Sequence, residues 1–176
     1  MIYWSLKHIF MGKFPMNEFR SGLGIDVHRL TEGESLILGG VDIEHSLGLS
    51  GYSDGDVLTH SIIDSLLGAS GIGDIGTLFP STDEQYRGIS SLILLETTSL
   101  LVREAGWIVK FLDATIIAQR PVIAPFIGSM KATISGVLSI PEKNINIKAT
   151  TTDGLGFIGN EYGIASLAIA SLGTRL

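Results

Sequence analysis

Aspartate and histidine side chains in two segments have the spacing of a metal site. Asp26 and His28 are two residues apart, so on a β-strand both side chains project from the same face. Asp56, His60 and Asp64 follow one another at steps of four residues, which aligns them along one face of a helix. One imidazole from that face would complete a His, His, Asp set, which binds Zn²⁺ with a fourth position open for water or substrate. The alternative is a solvated strand edge beside a helix whose N-cap is Asp56.

A glycine-rich loop at residues 71–76 has the composition of a ligand-binding loop. Its three glycines allow a ligand to approach the backbone closely, and the Asp74 carboxylate can accept hydrogen bonds from hydroxyl groups. The loop follows a helix and lacks the Lys-Ser or Lys-Thr ending of a P-loop, so it matches neither a P-loop nor a Rossmann fingerprint. A plain helix-terminating loop explains the same residues equally well.

Three threonines at residues 150–152 precede Asp153 at the end of a predicted strand. Hydroxyls and free backbone amides bind phosphate oxygens, and a neighbouring carboxylate can hold Mg²⁺ or Mn²⁺ against those oxygens. The alternative is an ordinary strand, because threonine is common in strands.

Composition limits the classes of partner. The chain has 18 acidic and 12 basic residues and a net charge of −6, which argues against binding a nucleic-acid backbone. It has no cysteine, so any zinc site needs histidine and carboxylate ligands. No segment reaches the roughly 20 apolar residues that span a bilayer. We therefore expect a soluble, cytoplasmic protein of bacterial type without a membrane or nucleic-acid partner.

The elements that must position these residues alternate between strands and helices. The predicted strands cover about residues 22–27, 36–43, 107–119 and 144–152. The predicted helices cover about residues 56–71, 90–105, 125–138 and 162–172. This order predicts an α/β fold in which helices cover one sheet. Residues 1–19 are interpreted as an N-terminal extension of unknown role, and residues 20–176 as a single domain.

Four segments together carry a resemblance to a known family. They are GIDVHRL, SDGDVLTHSIIDSLLGASGIGDIGTLFPSTD, DATIIAQRPVIAP and INIKATTTDGLGFIGNEYGIA. In order and spacing they resemble the motifs of the 2-C-methyl-D-erythritol 2,4-cyclodiphosphate synthase family, from about residue 22 to the C-terminus. The resemblance implies an α+β two-layer sandwich with one mixed four-stranded sheet. It also implies a homotrimer with active sites between subunits.

The family converts 4-diphosphocytidyl-2-C-methyl-D-erythritol 2-phosphate to the cyclodiphosphate and CMP, in the methylerythritol phosphate pathway to isoprenoids. The resemblance implies Zn²⁺ on Asp26, His28 and His60, and a second divalent ion, Mg²⁺ or Mn²⁺, on Asp153. It implies that Tyr52 and Thr151 act in catalysis. No protein nucleophile is required, because positioning and charge neutralisation accelerate phosphoryl transfer.

The resemblance also implies a substrate site. Asp74 and Gly76 would hold the ribose, residues 79–83 would border the methylerythritol, the backbone of residues 118–124 would meet the cytosine, and residues 150–152 would meet the diphosphate. The full set of implied substrate-binding residues is Asp26, Val27, His28, Tyr52, Ser53, Asp74, Ile75, Gly76, Phe79, Pro80, Ser81, Thr82, Asp83, Ala118, Gln119, Arg120, Pro121, Val122, Ile123, Ala124, Thr150, Thr151, Thr152, Asp153, Phe157 and Asn160.

Several residues depart from the family pattern. Tyr52 stands where the family usually has a histidine credited with transition-state stabilisation; a phenol can donate a hydrogen bond but cannot become imidazolium. Val122 replaces a usual lysine, and Asp153 replaces a glutamate. Asn160 and Tyr162 replace an arginine and a glutamate of a site for isoprenoid diphosphates on the trimer axis.

Two other functions use the same residues. A zinc-dependent phosphohydrolase would activate water at Asp26, His28 and His60. A trimer that binds a small ligand without turnover would keep the fold, and Tyr52 is the residue that favours this alternative. A mean hydropathy of +0.39 is a slight compositional hint that apolar surface is buried in an assembly.

Overall fold

The computed structural model describes residues 18–174. The interpretation of residues 1–19 as an extension falls mostly on residues 1–17, which lie outside the described range. The strands are β1 (Phe19–Thr31), β2 (Ile37–Leu38), β3 (Val41–Asp42), β4 (Gly48–Leu49), β5 (Trp107–Ile117), β6 (Ile145–Thr150) and β7 (Gly163–Thr174). The α-helices are α1 (Val57–Ser70), α2 (Ile75–Leu78), α3 (Ser91–Glu104), α4 (Ile127–Leu138) and α5 (Gly156–Gly159). No helix in this range combines the length and apolar character needed to cross a membrane.

The main sheet is mixed, as predicted, but it has five strands in the order β4-β1-β7-β5-β6. Only β5 and β6 pair in parallel among the strand pairs of this sheet. The prediction of four strands was wrong because β4, two residues long, adds an edge strand to the end of β1. The single predicted strand at residues 36–43 is instead the hairpin β2-β3, since Gly39 and Gly40 have φ values of 57° and 72° and turn the chain.

The helix predicted at residues 162–172 was wrong, because this segment is the strand β7. It lies between β1 and β5 and pairs with both along almost its whole length. Ser166, Ala168 and Ala170 are buried on its helix-facing side, where short side chains leave room for α1. Alanine favours an isolated helix, but pairing on both edges and burial override that weak preference.

Helix α1 packs directly on the backbone of β1. A Cβ atom at Gly24 would lie 1.9 Å from the carbonyl oxygen of Ser61, and one at Gly22 would lie 2.2 Å from that of Ser65. Gly22, Gly24, Asp26 and His28 alternate along β1 and so share one face. The missing side chains therefore let α1 approach close to the part of β1 that carries Asp26 and His28.

The helices cover only one face of the sheet. On the opposite face the structure leaves a group of large apolar side chains exposed, which we call the outer apolar stripe. It consists of Leu23, Ile25, Val27, Phe111 and Ile169. The first three are 59%, 54% and 48% exposed, which is unusual for three consecutive outward positions of a long strand.

We predict that Gly24→Ala lowers the free energy of unfolding by about 3 kcal/mol, because the added methyl group must displace the backbone of α1. Gly68→Ala is the matched control. Gly68 lies within α1, and a Cβ atom added there would meet no atom of another element within 4 Å, so the alanine should raise stability by about 0.5–1 kcal/mol. Denaturant unfolding of both variants measures the difference. A Gly24→Ala protein of wild-type stability would contradict the close packing.

Candidate active site

The structure brings Asp26, His28 and His60 together, as their spacing predicted. The Asp26 Oδ2 atom lies 2.8 Å from His28 Nε2 and 2.9 Å from His60 Nδ1. The two ring nitrogens are 3.2 Å apart. Within residues 18–174 this is the group of His, Asp and Glu side chains with metal-binding geometry. Three ligand atoms from β1 and α1 thus converge on one point.

Asp56 and Asp64, the other residues on the predicted helix face, have different roles. Asp56 is fully buried and caps α1, which confirms the alternative interpretation for this residue. Its carboxylate accepts hydrogen bonds from the backbone of Gly39, Gly40 and Thr59 at 2.8–3.0 Å. Asp64 is half-buried and accepts a hydrogen bond from the backbone of Ile75 at 2.8 Å. Burial raises the pKa of Asp64, and this hydrogen bond opposes the rise.

Each imidazole has one nitrogen directed at Asp26 and the other at an oxygen. His28 Nδ1 lies 2.5 Å from the carbonyl oxygen of Ser50. His60 Nε2 lies 2.8 Å from Ser91 Oγ and 3.0 Å from Ser53 Oγ. Histidine ligands of metals are typically held in this way through the second ring nitrogen.

The electrostatics favour an ionised carboxylate between the rings. Burial raises the pKa of Asp26, but hydrogen bonds and charge interactions with His28 and His60 outweigh burial and hold this pKa well below its ordinary value. Burial lowers the pKa of His28, yet the Asp26 carboxylate and the Ser50 carbonyl raise it above its ordinary value. The Asp26 carboxylate therefore carries the negative charge of this site.

A cleft of about 230 Å³ opens onto the three candidate ligands. Its walls come from β1, α1, the loop after β4, α2, the segment that follows α2, and α3. The lining residues are Asp26, His28, Tyr52, Ser53, His60, Ile75, Gly76, Phe79, Ser81 and Leu94. Nine of them, all except Leu94, belong to the residues singled out from the sequence.

Tyr52 binds the segment at residues 79–83, which also contains Pro80 and Thr82. Its hydroxyl donates a hydrogen bond to the backbone carbonyl of Asp83 at 3.2 Å. The Arg87 guanidinium carbon lies 5.0 Å from the centre of the Tyr52 ring. Phe79 packs edge-on against Tyr86 with 5.5 Å between ring centres. These contacts hold the outer wall of the cleft.

The glycine-rich loop at residues 71–76 ends one helix and begins another. Gly71 closes α1 with a left-handed backbone, and Asp74 caps α2 by accepting a hydrogen bond from Thr77 N at 2.8 Å. That hydrogen bond lowers the pKa of the exposed Asp74. The helix-terminating interpretation is therefore correct for Gly71, while Ile75 and Gly76 also line the cleft.

Two further groups of sequence-predicted residues lie together, apart from the residues lining the cleft. Residues 118–124 follow β5 and residues 150–153 follow β6, and parallel pairing places both at the same edge of the sheet. We call them the carboxyl-end loops. Ala118 N donates to Thr150 O at 3.0 Å, and Thr151 Oγ1 donates to Asp153 Oδ1 at 3.1 Å. The Asp153 side chain is exposed.

Phe157 lines a second cavity of about 480 Å³, together with Val27, His28 and Tyr162 among other residues. Asn160 points elsewhere: its Nδ2 atom donates to the carbonyl of Gly156 at 2.8 Å. The structure thus separates these two residues from the cleft that contains the candidate ligands.

Sequence reasoning missed Ser50, Asp54 and Ser91, which surround the candidate ligands. Ser91 is fully buried at the start of α3, and Asp54 binds both its hydroxyl and its backbone N–H. The one available signal was that a serine pair, residues 90–91, marks the start of a predicted helix. That serine pair does not indicate a contact between Ser91 and Asp54, which lies 37 positions earlier in the chain.

Comparisons with known proteins identify relatives of this chain. A sequence profile of the YgbB family matches residues 19–173. The 2-C-methyl-D-erythritol 2,4-cyclodiphosphate synthase of Agathobacter rectalis is 54% identical over 153 residues, which cover 87% of this chain and 86% of the relative.

Two solved structures share the fold. The bifunctional IspDF from Campylobacter jejuni has a TM-score of 0.87 and 42% identity; the match covers 90% of this chain and 43% of that longer chain. The IspF CDP complex from Plasmodium falciparum has a TM-score of 0.80 and 37% identity, covering 91% of this chain and 99% of that one. The profile match and these identities show that this chain belongs to the YgbB family.

Proposed function

We propose that the chain is a 2-C-methyl-D-erythritol 2,4-cyclodiphosphate synthase whose metal centre is Asp26, His28 and His60. The enzyme, a phosphorus–oxygen lyase of the non-mevalonate isoprenoid pathway, converts 4-diphosphocytidyl-2-C-methyl-D-erythritol 2-phosphate to the cyclodiphosphate and releases CMP. The observation that carries this proposal is the convergence of the three ligands inside a cleft, in a chain 54% identical over 153 residues to such a synthase.

The three side chains fit Zn²⁺. One carboxylate and two imidazoles form a common three-residue zinc set with an open fourth position. The second ring nitrogen of each histidine already has an oxygen partner, as in zinc sites generally. When bound, the ion supplies positive charge that polarises a phosphate oxygen. The protein has a net charge of −6, so bound cations also offset the repulsion of an anionic substrate.

The reaction needs no covalent intermediate with the protein. An oxygen of the 2-phosphate forms a bond to the β-phosphorus, while the bond from that phosphorus to the bridging oxygen of CMP breaks. The protein holds the two phosphates in line and neutralises charge, which is how phosphoryl transfer is generally accelerated. In the proposed roles, Thr151 polarises the attacked phosphate, and the Tyr52 hydroxyl turns from the Asp83 carbonyl to donate a hydrogen bond to that phosphate in the transition state.

The nucleotide is assigned to two parts of the chain. Asp74 and Gly76 are proposed to hold the ribose, and the backbone of residues 118–124 the cytosine. Asp153 is proposed to bind Mg²⁺ or Mn²⁺. Among residues 18–174 the structure gathers no group of three His, Asp or Glu ligands around Asp153, so substrate phosphates are proposed as the other ligands of this ion. The similar Plasmodium falciparum protein forms a complex with CDP, which supports a cytidine nucleotide site in this chain.

A homotrimer would bring the two parts together. The carboxyl-end loops do not line the cleft of the same chain, so a neighbouring subunit is proposed to supply them. The outer apolar stripe supports this proposal, since five large apolar side chains on an uncovered sheet face suit a subunit interface.

Phosphorus NMR with the proposed substrate, Zn²⁺ and Mg²⁺ tests the function. We predict stoichiometric formation of the cyclic diphosphate and CMP. Release of inorganic phosphate would instead support the zinc-dependent phosphohydrolase. Binding without any product would support a ligand-binding trimer that has lost turnover, and either outcome would overturn the synthase assignment.

We predict that His60→Ala and Asp26→Ala each abolish stoichiometric Zn²⁺ binding and turnover, because each variant leaves two ligands for the ion. His45→Ala is the matched control: His45 is half-buried, lies near the same sheet and contacts the carbonyl of Leu47. Metal analysis of the purified proteins and steady-state kinetics measure both effects. Full zinc occupancy in His60→Ala would remove this residue from the centre.

We predict that Tyr52→Phe lowers kcat with little change in KM. A lost transition-state hydrogen bond is worth about 1–3 kcal/mol, which corresponds to a decrease of about 5- to 150-fold. Tyr162→Phe, which removes a hydroxyl outside the cleft, is the control and should retain wild-type kinetics. An unchanged kcat in Tyr52→Phe would show that the phenol only fills space and holds the segment at residues 79–83.

A further inference from the structure

Asp54 and Ser91 form a compact hydrogen-bonded pair behind His60. Asp54 Oδ2 accepts from the backbone N–H of Ser91 at 2.9 Å, and Asp54 Oδ1 accepts from the Ser91 hydroxyl at 2.5 Å. Oδ1 also accepts from the backbone N–H of Asp56 at 3.2 Å. Ser91 is the first residue of α3, where the free N–H groups of the helix favour a carboxylate. Both partners are therefore fixed in position.

The hydrogen count of this pair determines where His60 carries its proton. An ionised carboxylate only accepts hydrogen bonds, so the single hydroxyl proton of Ser91 is donated to Asp54. Ser91 Oγ then has only lone pairs to offer His60 Nε2, which lies 2.8 Å away. A hydrogen bond at this distance requires the proton on Nε2.

Ser53 fits the same proton arrangement. Its Oγ lies 3.3 Å from Ser91 Oγ and 3.0 Å from His60 Nε2. Because the Ser91 proton already points to Asp54, the Ser53 hydroxyl must be the donor in the contact between the two serines. No carboxylate accepts the Ser53 proton, so the direction of the Ser53 hydroxyl is set by the direction in which Ser91 donates to Asp54.

A proton on the other ring nitrogen would compete with a metal ion. His60 Nδ1 lies 2.9 Å from Asp26 Oδ2, so a proton on Nδ1 could bridge these two atoms and occupy both lone pairs. A proton held on Nε2 leaves Nδ1 available as a ligand. His28 achieves the same result differently, since its Nδ1 donates to the backbone carbonyl of Ser50.

We propose that Asp54 is a positioning residue of the metal centre, which acts through Ser91 to hold the proton of His60 on Nε2 and keep Nδ1 free to bind the ion. This inference rests on the metal centre of the proposed function. It assigns a role to two residues that do not contact the ion themselves. It also makes the start of α3 part of the metal site.

Zinc affinity of the full chain tests the proposal, with Zn²⁺ alone as the probe and a chelator as competitor. Ser91→Ala removes the nearer oxygen partner of Nε2 and leaves only Ser53 Oγ, whose proton no carboxylate fixes. Asp54→Asn replaces one of the two accepting oxygens by an NH₂ donor, so the side chain can no longer accept from both the hydroxyl and the backbone N–H of Ser91. Loss of such a contact typically weakens metal binding 10- to 100-fold, and we expect about this increase in Kd for both variants. Ser99→Ala is the matched control, because it removes a buried hydroxyl from the same helix and should leave Kd within about 2-fold.

Nitrogen NMR of histidine-labelled protein gives a readout that a general loss of stability would not produce. In the zinc-loaded wild type we expect a protonated Nε2 on His60 whose hydrogen exchanges slowly with water. In Ser91→Ala this exchange should be faster, while the His28 Nδ1 hydrogen, bound to a backbone carbonyl, should exchange as in the wild type.

The outcomes separate this inference from the proposed metal centre. If wild-type protein binds no Zn²⁺, the metal centre itself is overturned. If wild-type protein binds Zn²⁺ and both variants keep its Kd and the slow Nε2 hydrogen, the role of Asp54 and Ser91 is overturned while the metal centre stands. Should Asp54→Asn fail to fold, Ser91→Ala alone decides, since it leaves the Asp54 contact with the Ser91 backbone intact.

Discussion

Direct contact between the backbones of α1 and β1 is the constraint on which the site depends. At Gly24 there is no room for even one methyl group, because its carbon would lie 1.9 Å from the Ser61 carbonyl oxygen. His60 precedes Ser61, so the same approach brings its ring to Asp26 and His28 on the facing strand. Metal coordination tolerates errors of only about 0.2 Å in ligand distance, which is far smaller than the shift a side chain at Gly24 would force.

Buried and half-buried carboxylates extend this constraint to the rest of the cleft. Asp56 joins the start of α1 to the β2-β3 turn through the N–H groups of Gly39 and Gly40. Asp54, in the loop between β4 and α1, joins that loop to the start of α3. Asp64 joins α1 to the backbone at Ile75. Burial raises the pKa of Asp56, and the N–H groups that it accepts from oppose the rise. An acidic chain can therefore place several carboxylates around one site because backbone amides compensate most of them.

The sequence predicted features that depend on residues a few positions apart, and it did not predict features that depend on contacts between distant parts of the chain. Helix α1 and the shared face of Asp26 and His28 followed from spacings of four and two residues. The spacings left the meeting of His60 with these two residues as one of two alternatives, and the family resemblance selected it, because the contacts span 34 and 32 residues. Strand β7 could not be recognised in this way, because Ala168 is held between Gly24 and Ala114, which are distant in the chain. The same limit applies to Asp54 and Ser91, since a contact across 37 residues leaves no periodic pattern.

The separation of the carboxyl-end loops from the candidate ligands follows from the order and direction of the strands. Strands β5 and β6 pair in parallel, so the carboxyl-end loops lie at one edge, while the candidate ligands occupy β1 and α1 on the far side of β7. A single chain therefore presents ligands and loops at different places. The outer apolar stripe runs across β1, β7 and β5 on the face opposite to α1. In the proposed trimer, association through that stripe would bury apolar surface, and the proposed site between subunits would make catalysis depend on the same contacts.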